Sequence, residues 1–153
     1  MKMINPRYVT GYAYDLEKRR YLNDRMMLGA RDIWDALQKR HFNEGVSIFC
    51  PFRIPKLTNR ASSEESKLRW WGLLVPAKDR DPSGANSEFA VTQKFVDFME
   101  GRVEVREALW VVNTHYEVEH QKSTSHEKFL RMDEDSKLVN AQSWYQAFSL
   151  QNL

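Results

Sequence analysis

The chain has 153 residues, 42% of them apolar, a formal net charge of +2 and a single cysteine. That length predicts one domain, for which five Trp and eight Phe supply a core. The lone Cys50 excludes an internal disulfide framework and fits a reducing cytoplasm, no apolar run reaches the ~20 residues of a membrane span, and a charge this close to neutrality is by itself no argument for nucleic acid.

Taken in chain order, MKMINPRYVTGY lacks the apolar region of a signal peptide. Arg7–Tyr14 has a strand-like pattern, and Asp15–Arg20 mixes acids and bases. The cluster Lys18, Arg19, Arg20 reads first as a solvated surface turn, with an arm touching phosphate as the alternative. Asn23–Arg40 is the clearest helix. Asn23 suits an N-cap, Met26, Ala30, Ile33, Trp34 and Leu37 form one apolar stripe, and Asn43, Glu44 and Gly45 end it. These Met and Trp positions read as packing rather than as a cofactor pocket. Val46–Cys50 is a short strand candidate broken by Pro51 and Pro55, and Lys56–Ala61 holds a turn or a degenerate second helix.

The central stretch is Ser62–Gly101. Ser62 and Glu65 have capping-box spacing, and Gly72 suits the left-handed stop of a helix over Ser62–Trp71. Leu73–Val75 and Glu88–Val91 read as two strands around the turn-forming KDRDPSGANS. Thr92 caps the next helix, Val91 and Val96 are placed for a staple, and Gly101 stops it. A short capped helix followed by two strands and a polar loop is the second half of a winged helix-turn-helix. Trp70 and Trp71 are adjacent in that helix. Core packing is the leading reading, and an exposed Trp would instead serve a protein interface or base stacking.

KLRWWGLL, a polar loop and FAVTQKFVDFMEG resemble the winged-helix half of a loose group of small, mostly uncharacterised bacterial and phage proteins. The resemblance runs over Lys67, Leu68, Arg69, Trp71, Gly72, Leu73, Ser83, Gly84, Phe89, Thr92, Lys94, Phe98 and Gly101. Phe95 stands where that pattern has glycine, and the spacing from Gly84 to Phe89 is stretched. Many of the group carry a cysteine-rich zinc ribbon. With Cys50 alone here, nothing about zinc carries over. The resemblance implies a winged-helix fold and a DNA-binding role.

Beyond Gly101, Val103–Val112 and His115–His120 read as a β-hairpin turning at Asn113–Thr114. Ser123–Leu153 reads as helical, with Ser125 and Ser136 as caps. The expected fold is α+β: a winged helix-turn-helix core with an N-terminal arm over 1–101, and a C-terminal β-hairpin and helices over 102–153. The C-terminal helix either docks on its own domain or forms a homodimer.

For double-stranded DNA, Lys56, Arg60, Lys67, Arg69, Lys78 and Arg80 are the candidate contacts, with Glu64 and Glu65 opposing phosphate in the first turn of the recognition helix. No catalytic constellation emerges. His115, His120 and His126 lack the i, i+4 spacing of a helical metal pair, Cys50 has no partner base, and the glycines form no phosphate loop, so neither a metal nor a cofactor is expected. Two functions remain: a small DNA-binding regulator, or a protein-interaction subunit of a larger assembly on the same scaffold.

Overall fold

The structure is a computed structural model and describes residues 12–58, 64–77, 88–118, 121–124 and 127–151. In chain order the elements are β1 (Tyr12–Tyr21), α1 (Asp24–Glu44), α2 (Ile54–Thr58), a 3-10 helix (Glu65–Trp71), β2 (Leu74–Pro76) and β3 (Phe89–Val91). There follow α3 (Gln93–Met99), β4 (Val105–Arg106), β5 (Ala108–Val118), β6 (Gln121–Thr124), β7 (Lys128–Met132), β8 (Leu138–Val139) and α4 (Ala141–Gln151). The fold is α+β with antiparallel sheets. The chain forms two compact units, Met1–Tyr21 with Arg106–Lys137 and Leu22–Val105 with Leu138–Leu153. The division expected after Gly101 differs from this one, because β1 pairs with β5 along its whole length and belongs with that strand rather than with α1.

In the first unit β5 is the central strand. β1 lies along one side, from Tyr12 opposite Glu117 to Tyr21 opposite Ala108. β6 and β7 follow one another along the other side, with a register shift at Trp110/Val111. Leu109 and Val111 are fully buried. Trp110 lies between two guanidinium groups, 4.7 Å from Arg19 and 5.5 Å from Arg131. Arg19 also pairs with Asp133 at 3.1 Å, Arg131 with Glu17 at 3.2 Å, and Arg20 with Glu127.

Three expectations fail here. Lys18, Arg19 and Arg20 lie inside a strand, and the two arginines are held by Asp133 and Glu127, the residues that flank β7. Asn113 and Thr114 continue β5, and the strand reverses only between Val118 and Gln121. Phe129, Leu130 and Met132 belong to β7, not to a helix. Ser125 lies outside the described residues. Ser136 caps no helix, and its hydroxyl donates to the Asp133 carbonyl at 2.7 Å.

In the second unit α1 begins where expected, with Asn23 Oδ1 accepting from Met26 N–H at 2.8 Å. It runs to Glu44 and stops at Gly45, whose φ of 68° is left-handed. Met26, Ala30, Ile33 and Leu37 are buried, and so are Met27 and Gly29 off the stripe. Val46–Cys50 is not a strand. Its backbone folds back instead, Cys50 N–H donating to Ser47 O at 3.1 Å. The extended residue is Phe52, which exchanges two 2.8 Å hydrogen bonds with Phe89.

The expected helix from Ser62 is described only from Glu65 onward, as a 3-10 helix closed by Gly72 at φ 76°. β2 and β3 pair from Leu74 opposite Val91 to Pro76 opposite Phe89. Trp71, Leu68, Leu73, Phe89, Phe95 and Phe98 fill the core, and Trp70 is only 9% exposed, so both tryptophans pack.

One helix, α4, closes the unit, capped by Asn140 Oδ1, which accepts from Ser143 N–H at 2.8 Å. Its Tyr145 hydroxyl donates to the Met27 carbonyl on α1, and the Arg31 guanidinium lies 5.6 Å from the Tyr145 ring. Burial raises the pKa of this phenol well above its ordinary value. Tyr145→Phe removes the hydroxyl and keeps the ring. It is expected to cost about 1 kcal/mol, the net worth of one such hydrogen bond, in urea denaturation.

Candidate nucleic-acid interface

The expected DNA contacts divide into three kinds. Arg60, Lys78 and Arg80 lie outside the described residues. Lys56 is on α2 and exposed. Lys67 and Arg69 are brought together on the 3-10 helix, but each is already engaged. Lys67 Nζ is 3.0 Å from Glu64 Oε1, with both side chains about a quarter exposed. Arg69 donates to the Ser66 carbonyl at 2.8 Å and lies 5.2 Å from the Trp70 ring.

The helix itself presents little to a partner. No residue from Glu65 to Trp71 is exposed: Ser66, Lys67 and Arg69 are half-buried, and Glu65, Leu68, Trp70 and Trp71 are buried outright. Glu65 opens the first turn but does not face solvent. It points into the core against Gly29, where an added Cβ would lie 2.3 Å from its Cγ. Only Glu64 remains near the surface, and it is held by Lys67 and by Asn23 Nδ2 at 3.3 Å.

Lys94 was not among the candidate contacts. It is exposed in the first turn of α3, with its Nζ 3.6 Å from the position a Cβ on Gly72 would take. The signal was available in the sequence. A cation in the first turn opposes the helix dipole, so helix stability does not explain it. Arg53, half-buried ahead of α2, adds a further cation to the same unit.

The same unit also holds an apolar groove of about 730 Å³ at the C-terminal end of α1. Trp34, Gln38, His41, Phe42, Ile48 and Phe49 line it. Trp34 meets Phe95 edge-on at 5.9 Å. Phe42 is 89% exposed. The stripe through Met26 and Leu37 gives no warning of it, because Phe42 stands among Lys39, Arg40, His41, Asn43 and Glu44.

No protein-family model matches this chain, and no similar curated protein or solved structure was found. Among the described residues no three His, Cys, Asp or Glu side chains gather as metal ligands, and no helix is long and apolar enough to cross a membrane.

Proposed function

We propose that the unit Leu22–Val105 with Leu138–Leu153 is a winged helix-turn-helix, and that the protein is a small, non-catalytic cytoplasmic regulator that binds double-stranded DNA. The observation that carries this reading is the order of its parts. α1, the bridging residue Phe52, α2, the 3-10 helix, β2 and β3 follow one another. Phe52 and β2 both pair with β3, so β3 is central in a small sheet.

The segment between Ala77 and Glu88, which joins β2 to β3, carries Lys78 and Arg80. With Lys67 and Arg69 engaged, Lys56 and Lys94 serve the phosphates together with Arg60, Lys78 and Arg80. Contacts of that kind position a protein on the duplex and read little sequence.

The test is fluorescence anisotropy of a labelled random duplex at about 50 and 200 mM salt. Five phosphate contacts predict an affinity loss of about 500-fold over that range, from a slope of about −0.9 per contact. Lys56→Ala/Arg60→Ala/Arg80→Ala is expected to bind more weakly at low salt and to show a flatter slope. A folded protein that does not bind at low salt overturns the reading.

The 3-10 helix with no exposed residue, together with Phe42 at 89% exposure, favours a second reading, a protein-interaction subunit on the same scaffold. Partner binding that changes little with salt, alongside no DNA binding, supports that alternative.

A further inference from the structure

We propose that the exposed C-terminal face of α1 is an interface with a second copy of this chain, the two helices crossing antiparallel about Gln38. This does not rest on the DNA reading and is measured without DNA. Trp34, Gln38 and Phe42 are spaced by four and form one ridge of α1, the kind of row that interdigitates when helices pack. Gln38 and Phe42 are exposed, and Trp34 is half-buried.

A two-fold axis at Gln38 sets each residue against the one equally far on the other side. Phe42 then meets the second copy's Trp34, and enters the groove that Trp34, Ile48 and Phe49 line. Gln38 meets itself, an amide that both donates and accepts.

The charges on the same face complement one another under that axis. The Asp35 carboxylate falls opposite the His41 imidazole and two positions from Lys39, and Glu44 falls one position from Arg31. Arg31, Asp35, Lys39, His41 and Glu44 are all exposed. The one unfavourable facing, Asp32 with Glu44, lies at the outer end of the contact. A surface that carries both the knob and its pocket, with opposite charges arranged about one residue, is what an isologous dimer requires. The C-terminal helix is a weaker candidate for a dimer, because Ala141 and Tyr145 are committed to their own unit.

Sedimentation equilibrium of the full chain up to its highest soluble concentration tests this. The wild type is expected at twice the chain mass. Phe42→Asp, at a position too exposed to unfold the protein, is expected to weaken the dimer by at least ~100-fold, because each dimer loses two such anchors. Asp35→Lys is expected to give monomer, and Asp35→Lys/Lys39→Glu to restore the dimer by reversing the pair. Circular dichroism checks that each variant is folded. A wild type that stays monomeric overturns the proposal. So does a dimer that survives both single substitutions, or a charge reversal that restores nothing.

Discussion

Gly29→Ala is expected to destabilise the protein by about 2 kcal/mol, although it replaces a glycine inside a 21-residue helix. Helix propensity alone points the other way, since alanine in a helix interior is favoured over glycine by about 1 kcal/mol. Packing decides the sign. A Cβ at position 29 would stand 2.3 Å from Glu65 Cγ, 2.9 Å from its Cδ and 2.8 Å from Oε1. The obstruction is the body of the side chain rather than a flexible tip. Glu65 is fully buried, so it has no solvent into which it can swing. Overpacking of this kind costs about 1–3 kcal/mol beyond any propensity gain. The check is a double-mutant cycle by urea denaturation. In a Glu65→Ala background the obstacle is gone, and Gly29→Ala should become stabilising by about 0.5–1 kcal/mol. If the two substitutions prove additive, the close approach of Gly29 and Glu65 does not hold.

That contact also marks where reading the sequence stops. Elements fixed by local chemistry are legible: Asn23 and Thr92 as caps, Gly45 and Gly72 as left-handed stops, and the buried stripe of α1. Glu65 looks like half of a capping box in a first turn, and its burial depends on a glycine on another helix. Beyond Tyr14, where the strand-like pattern stops, β1 is hidden for a different reason. Among the described residues it pairs with β5 alone and leaves Asp15, Glu17, Lys18 and Arg19 in solvent, so it shows no apolar alternation. In β7 the register shift against β5 breaks the period of two, and Phe129, Leu130 and Met132 then resemble a helix face. For the candidate site, the spacing of Glu64 and Lys67 already allowed an ion pair on one helix. The pair forms and engages Lys67. The face built from Trp34, Gln38 and Phe42 is not legible as a stripe, because Phe42 is flanked by polar residues on both sides.

Thr92→Val is expected to cost about 2–3 kcal/mol, more than a helix cap alone accounts for. The Thr92 hydroxyl does two things at once. It accepts from Phe95 N–H at 3.1 Å, which caps α3, and it donates to the Gly72 carbonyl at 2.6 Å, at the end of the 3-10 helix. Losing the cap costs about 1 kcal/mol. Leaving the Gly72 carbonyl without its donor in a part-buried site adds about 1–2 kcal/mol, because valine fills the volume and keeps water from replacing the hydroxyl. The backbone bond from Thr92 N–H to Leu73 O, 3.2 Å, survives in the variant, so the strand pairing is expected to persist and the loss to fall on the two helix ends. Thr92→Ser keeps the hydroxyl and should stay within about 0.5 kcal/mol of the wild type. Hydrogen exchange should show the amides of the first turn of α3 losing protection in the valine variant and keeping it in the serine variant. A serine variant as unstable as the valine one would mean that the methyl group, not the shared hydroxyl, holds this junction.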